Sequence, residues 1–259
     1  MPTNILTKII TDKKVEVEQL KKNIPLALLK KRCDRRQAPF DFARALSGDN
    51  LRLIAEVKKA SPSSGVFHPD FDPIKLAKTY AQNGSSAISV LTEKKYFQGS
   101  INHLEDIRKE ISIPLLRKDF IFDPYQIYES CAYGADALLL IASVLSREQL
   151  KELLKLSQQL GLSCLVEIHN EKEAETALHI GAEIIGINNR DLDTFTVDID
   201  TTQRLRSLIP NDRIVVSESG IKSRRDIEKL KGWRINAILV GETLITSGNI
   251  PNTMRGLIL

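Results

Sequence analysis

The sequence predicts an α/β protein of one structural domain: a (β/α)8 barrel over residues 49–259, entered through a helical extension over residues 1–48. Three observations predict it. Eight short, apolar, β-branched runs follow one another between residues 51 and 240. Most of the gaps between them carry a helical pattern with its own start and stop signals. The chain is 259 residues long, close to the roughly 250 of one such barrel.

Residues 1–48 do not share the repeat. Their apolar spacing predicts helices over residues 5–22 and 26–32 and a short turn over 42–46, with no low-complexity linker before residue 51. The eight runs then fall at residues 53–57, 87–91, 113–116, 137–141, 164–168, 184–187, 214–216 and 237–240. Runs this short and apolar suit strands buried on both faces, as in a parallel sheet. The intervening helices punctuate themselves. Asp72 precedes Pro73 at a first helical position and Gly84 lies beyond the end; Asp123, Pro124 and Gly134 repeat the device. Asn170 and Glu173 form a capping-box-like opening to a helix ending near Gly181, and Ser223 opens another. Strand and helix alternate at ~26 residues per unit, and the right-handed crossover makes such alternation a parallel sheet. Eight units favour closure. An open doubly wound sheet is the rival, but a dinucleotide site there needs a Gly-rich turn after the first strand, and VKKASP at residues 57–62 offers none.

Composition excludes other classes. With 42% hydrophobic and 27% charged residues the chain is globular rather than disordered or fibrous. Its net charge of +4 is unevenly spread: residues 1–50 hold 11 basic and 6 acidic side chains, residues 51–259 hold 26 and 27. The basic extension reads either as a solvated helix face or as a positive lid at the barrel mouth, and we expect its lysines and arginines to speed capture of an anionic substrate. Cys33, Cys131 and Cys164 are widely spaced and form no CxxC, so neither a disulfide framework nor a zinc site is expected, and a reducing cytoplasm is. The longest apolar stretch, residues 137–145, is broken by Ser143 and falls short of the ~20 residues of a membrane span. Lys8, Asp12, Lys13 and Lys14 interrupt any secretory signal.

Active sites of such barrels lie where the strands end. Here the ends are rich in polar residues: Glu56 and Lys58, Thr92 and Glu93, Arg117 to Asp119, Glu167, Asn188 to Arg190, Ser217 to Gly220, and Gly241 with Glu242. Period 2 puts Glu56 and Lys58 on one face of their strand. A single such pair is as easily a rim salt bridge as an acid–base couple. Three cations and three glutamates converging on one mouth favour chemistry. After the last two strands, Glu218-Ser-Gly and Gly241-Glu are glycine-containing turns into helix starts, where free N–H groups suit a phosphate.

The segments LIAEVKKASPS (residues 53–63), LRKDFI (116–121), LVEI (165–168), GINNRDL (186–192) and VSESGI (216–221) resemble those of the indole-3-glycerol phosphate synthase family, in order and over essentially the whole chain. The resemblance implies a (β/α)8 TIM barrel of tryptophan biosynthesis, a carboxy-lyase that closes the ring of 1-(2-carboxyphenylamino)-1-deoxyribulose 5-phosphate with loss of carbon dioxide and water, using no metal and no organic cofactor. It implies Lys118 as general acid, its pKa brought toward the working pH by withdrawal from water. Glu167 matches the general base, and Glu56 and Asn188 position polar groups of the substrate. Lys58 is expected to pair with substrate anions and with Glu218. Arg190, Ser219, Gly220, Gly241 and Glu242 match phosphate-binding positions; Ser61, Pro62, Phe97 and Phe120 match the surfaces around the anthranilate ring. Two positions depart from the pattern. Glu242 stands where many members have Ser, so its carboxylate must turn away from the phosphate, and Ser64 often holds Lys in bacterial members.

The remaining candidates weigh less. His169 lies two residues beyond Glu167 but begins a loop, and reads as structural. His68, His103 and His179 lack metal-ligand spacing, and Cys131 and Cys164 read as core. A lysine Schiff-base lyase or aldolase on Lys118 is the rival chemistry. The isomerase of phosphoribosylanthranilate would need a Cys at the end of strand 1, where none stands. A nucleic-acid binder would need aromatic platforms among the basic residues, which are missing. The expected partner is a small phosphorylated molecule, with no nucleic acid and no membrane. A monomer is expected, with other tryptophan-pathway enzymes as candidate associates.

Overall fold

The computed structural model describes residues 5–67, 70–192 and 194–258; His68 lies outside them. The extension comprises α1 (Ile5–Asn23), α2 (Leu26–Arg35) and α3 (Phe42–Leu46). Eight strands follow: β1 (Arg52–Val57), β2 (Ala87–Leu91), β3 (Leu115–Lys118), β4 (Ala137–Ile141), β5 (Ser163–Ile168), β6 (Ile184–Asn188), β7 (Ile214–Glu218) and β8 (Ala237–Val240). All pair in parallel, in sequence order, and β8 returns to β1 to close a barrel. Around it lie α4 (Pro73–Gln82), α5 (Ile101–Glu110), α6 (Pro124–Ala132), α7 (Arg147–Gln159), α8 (Glu171–His179), α9 (Asp200–Arg206), α10 (Arg224–Gly232), α11 (Glu242–Ile245) and α12 (Ile250–Ile258). A small antiparallel hairpin, Ala60–Ser61 with Gly65–Val66, rises from the loop after β1. No helix among the described residues is long and apolar enough to cross a membrane.

The punctuation works as the sequence implies. Asp72 accepts from the N–H groups of Ile74 and Lys75 at 3.0 and 2.9 Å, and Asp123 and Ser223 each close a full capping box. The third strand differs. It starts and ends two residues later than the apolar run at 113–116, because Pro114 has no N–H to give the ladder and pairing begins at Leu115. Strands β6 and β7 likewise run on into Asn188 and Glu218. In all three the apolar run stops where the hydrogen-bonded ladder does not.

Alternation then sorts side chains into two cores. Leu53, Ala55 and Val57 face the helices, whereas Ile54 joins Leu116, Leu165 and Val216 inside the barrel. Phe42 and Leu46 of α3 belong to that inner cluster with Ala87, Ala137, Ile184 and Ala237, the first residues of the even strands or near them, so α3 plugs the end where strands begin. Each fully buried side chain of this size is worth about 1.5–3 kcal/mol.

The extension docks through its charges. Lys13 is buried, 3.1 Å from Asp119 and 2.9 Å from Glu16. Burial pushes its ammonium down, but the two carboxylates outweigh that and the net shift is upward. Lys21 meets Asp123 at 2.7 Å, Arg32 meets Glu105 at 2.5 Å and Arg36 meets Asp136 at 3.2 Å. These cations are thus engaged by acids of the barrel, and the part of α1 that reaches the mouth presents Ile5, Leu6 and Ile9. The roof over the cavity is thus apolar at its inner face, with these ion pairs around it.

Asp136, just before β4, is the centre of this docking. Its carboxylate accepts from Phe40 N (3.0 Å), Leu115 N (2.8 Å), Arg36 (3.2 Å) and Arg108 (2.7 Å). Asp136→Ala would take the carboxylate partner from two guanidinium groups and the acceptor from two N–H groups, that of Leu115 buried, at once. Urea unfolding is expected to show a loss of about 3–5 kcal/mol; a loss below about 1 kcal/mol would contradict this role.

Candidate active site

Two residues beyond Ile54, Leu116, Leu165 and Val216 on their strands stand Glu56, Lys118, Glu167 and Glu218. Period 2 makes these four the next inward layer, contributed by the odd strands as barrel packing requires. All three carboxylates are buried. Lys118 Nζ forms a close ion pair with Glu218 Oε2 and lies 3.4 Å from Glu167 Oε2. Lys58 Nζ caps Glu56 Oε1 at 2.9 Å and sits 5.3 Å from the centre of the Phe67 ring. Lys58 therefore meets Glu56, not Glu218 as expected, because its inward reach ends above its own strand while Lys118 occupies Glu218.

Space for this layer comes from two glycines of the even strands, Gly186 on β6 and Gly241 just past β8. A Cβ on Gly186 would run into the Glu218 carboxylate, and one on Gly241 would come within 3.1 Å of the Glu56 carboxyl carbon. The neighbours of Lys118 on β3 point the other way: Arg117 reaches Glu129 at 2.7 Å and Ser130 at 3.1 Å on α6, and Asp119 serves Lys13.

The electrostatics follow from one cation among three acids. Burial pushes Lys118 down, but Glu218, Glu167 and Glu56 outweigh it and the ammonium is strongly stabilised. The expected fall toward the working pH is thus reversed. Burial pushes Glu167 up, yet Lys118 and His169 win and hold it at about 2. Glu56 is likewise lowered against its burial, by Lys58 and Lys118. Glu218 is the exception: burial dominates, Lys118 counters only in part, and its carboxyl rises to about 7. Its Oε1 has no hydrogen-bond partner among the described residues.

Above this layer a cavity of ≈ 170 Å³ opens. Phe97 and Phe120 line it with Pro62 and Ser61, their rings 6.3 Å apart. Glu93 shapes this wall, its carboxylate collecting the N–H groups of Lys95, Tyr96 and Phe97 at 3.0, 2.7 and 2.9 Å; the sequence marks it only as a strand-end acid. Since β3 and β7 are four strands apart in a ring of eight, the turn after β7 lies across the barrel from Phe120. There Ser219 and Gly220 take φ of +67° and +77°, which leaves their backbone open toward an adjoining hollow that Arg190, Gly241 and Glu242 also line. Asn188 Oδ1 accepts from Ser219 Oγ at 2.8 Å and from Arg190 N at 3.0 Å, locking the two turns together. The Glu242 side chain is 48% exposed and lies 3.8 Å from the Arg190 guanidinium. Ser64 is exposed and is not among the residues lining the cavity.

His169, at the start of the loop after β5, folds back between two carboxylates. Its Nδ1 lies 3.1 Å from Glu173 and its Nε2 3.3 Å from Glu167 Oε1. Burial disfavours its charge, but the two carboxylates raise the imidazole to about 10. The signal was the i+2 spacing from Glu167, hidden by the turn that folds the ring back. Among the described residues no cluster of His, Cys, Asp and Glu could hold a metal ion.

Fold and site together define a (β/α)8-barrel enzyme. A family model described as indole-3-glycerol phosphate synthase matches residues 6–257. Curated relatives of that description include one from Dehalococcoides mccartyi, 54% identical over 98% of this chain and 100% of its own. Others come from Roseiflexus sp., 51% identical over 98% and 97%, and Endomicrobium trichonymphae, 51% identical over 98% and 99%. The chain belongs to the indole-3-glycerol phosphate synthase family. Solved structures of a 3-hexulose-6-phosphate synthase (TM-score 0.64, 13% identity, 80% of this chain and 98% of that one) and of KGPDC from Streptococcus mutans (0.59, 14%, 80% and 95%) share the fold.

The Glu218 shift has a measurable consequence. A carboxyl raised on folding stabilises the fold fully below its ordinary 4.5 and loses that contribution as pH rises through about 7. Glu218→Gln cannot ionise, so its Tm is expected to gain on the wild type between those two values. Parallel Tm curves over that window would contradict it.

Proposed function

We propose that this chain converts 1-(2-carboxyphenylamino)-1-deoxyribulose 5-phosphate to indole-3-glycerol phosphate, carbon dioxide and water, with the buried charged layer as its acid–base machinery. The observation that carries this is Lys118 in one layer with Glu167 and Glu218, beneath an aromatic wall on one side and a glycine-lined anion cradle on the other.

The substrate fits that division. Its aromatic ring suits Pro62, Phe97 and Phe120, and its phosphate suits the backbone of Ser219, Gly220 and Gly241 with Arg190. The ring carbon bearing the carboxylate attacks the sugar ketone while Lys118 protonates the oxygen. Carbon dioxide leaves and the ring regains its electrons. Hydroxide then departs as water, taking a second proton, while Glu167 removes one from carbon. Lys118 held as an ammonium suits this acid role and opposes the Schiff-base alternative, which needs the free amine. Lys58 and Glu56 are placed to meet the substrate carboxylate and hydroxyls, with Asn188 orienting Ser219. A cytoplasmic location, a monomeric state and association with other tryptophan-pathway enzymes accompany this reading, as does independence from metal and organic cofactor.

Mixing the protein with this substrate is expected to generate indole fluorescence without added metal. Lys118→Ala should lower kcat by about 10²–10⁴-fold with substrate affinity largely kept. A folded wild type that yields no fluorescence would overturn the assignment. Glu242→Ser removes a carboxylate beside the cradle, so KM is expected to fall roughly two- to fivefold with kcat little changed; an unchanged KM would show that the carboxylate is screened.

A further inference from the structure

The proposed reaction consumes a proton. Two are delivered to the ketone oxygen to make water and one is taken from carbon, so each turnover draws one from solvent. Glu167 can hand its proton back to Lys118, 3.4 Å away. The second must enter while substrate fills the mouth and Ile5, Leu6 and Ile9 roof it.

On the far side of Glu167 is a second opening. A groove of ≈ 530 Å³ between the starts of α7 and α8, lined by Arg147, Asn170, Lys172 and Glu173 among others, is separate from the mouth and open to solvent. His169 stands between the two. Glu173 Oε2 accepts from His169 N at 2.8 Å and lies 3.1 Å from Nδ1; Nε2 lies 3.3 Å from Glu167 Oε1; Glu167 Oε2 lies 3.4 Å from Lys118. Asn170, which caps α8, donates to the other Glu173 oxygen at 2.7 Å and fixes that carboxylate. Nε2 is buried and makes no hydrogen bond, with Glu167 Oε1 at ion-pair distance from it.

We infer that His169, acting through Glu167 and held by Glu173, is the entry point for the solvent proton that recharges Lys118, and that this path opens on the α7–α8 groove rather than on the barrel mouth. The inference rests on the ring-closure reaction proposed above. The step balances without a redox partner. Imidazolium His169 releases its Nε2 proton to the ionised Glu167 carboxylate at Oε1, and the carboxyl group, turning about Cγ–Cδ, gives that same proton to the neutral Lys118 amine. The neutral ring then turns about Cβ–Cγ and takes a proton from solvent beside Glu173. The direction is set by the charges: once Lys118 has given up its proton, one of the two cations that hold Glu167 low is gone. The ammonium of Lys118, stabilised by three carboxylates, is a better resting place for the proton than His169, stabilised by two.

The test measures wild type, His169→Ala, His169→Asn and Glu173→Gln by indole fluorescence, with and without added imidazole. Both His169 variants are expected to lose roughly tenfold in kcat with KM within about twofold. Imidazole entering the groove should restore several-fold of that loss in His169→Ala and have no effect on the wild type. Glu173→Gln should fall in the same direction by a smaller factor. Wild-type kcat in both His169 variants, or a loss in His169→Ala that imidazole leaves untouched at unchanged KM, would overturn the relay while the reaction stands. An inert wild type would overturn the reaction, and the relay with it.

Discussion

One ammonium packed among three carboxylates inside a closed barrel is the constraint around which the rest is arranged. Moving each of these ions out of water costs several kcal/mol, and the mutual attraction recovers that only where geometry is close and the remaining lone pairs are met. Lys118 touches Glu218 and Glu167, and Lys58 is needed to answer Glu56. The layer below is aliphatic, so the charges cannot sink further; Gly186 and Gly241 leave the volume that two of the carboxylates occupy. Replacing the whole layer by alkyl groups of similar size would relieve the desolvation, whereas removing one member would strand the others, so such a layer marks chemistry more than stability.

The arrangement is left incomplete at one point. Glu218 carries an unpartnered oxygen and a carboxyl raised to about 7, while Glu167, in the same layer, is held at about 2. Environment alone separates two identical side chains that share Lys118: Glu167 also has His169 beside it, and Glu218 has no second cation. A site with one ionised and one readily protonated carboxyl around a lysine can hold several charge states of a reacting molecule.

Away from the mouth, charge has a different task. Part of the basic excess of the first fifth of the chain meets acids of the barrel, Asp119 beside the cavity and Asp123, Glu105 and Asp136 beyond it, and an apolar face of α1 lies over the cavity. Val17 and Leu29 close on Tyr125 beneath it, and the Tyr125 hydroxyl donates to the carbonyls of Leu20 and Ile24 where α1 ends. Such ion pairs contribute modestly where exposed; buried, as at Lys13 and Asp136, they fix the register of extension on barrel.

Local chemistry determined much of this protein in advance. Asp72, Asp123 and Ser223 cap helices because short side-chain acceptors answer N–H groups two or three residues away. The strands lie within two residues of the apolar runs, since a strand buried on both faces has no other composition available. Strand-end position was enough to nominate Glu56, Lys58, Lys118, Glu167, Asn188 and Glu218. What local chemistry could not determine was who meets whom. Period 2 says that a side chain points inward; it does not say which inward side chain stands opposite, for that depends on the stagger of strands distant in sequence. Hence Lys58 found Glu56 instead of Glu218, Lys118 gained three acids and rose where burial alone would have lowered it, and His169 came back onto Glu167 from a loop. Those pairings belong to the closed barrel, and with them the protonation states on which the chemistry depends.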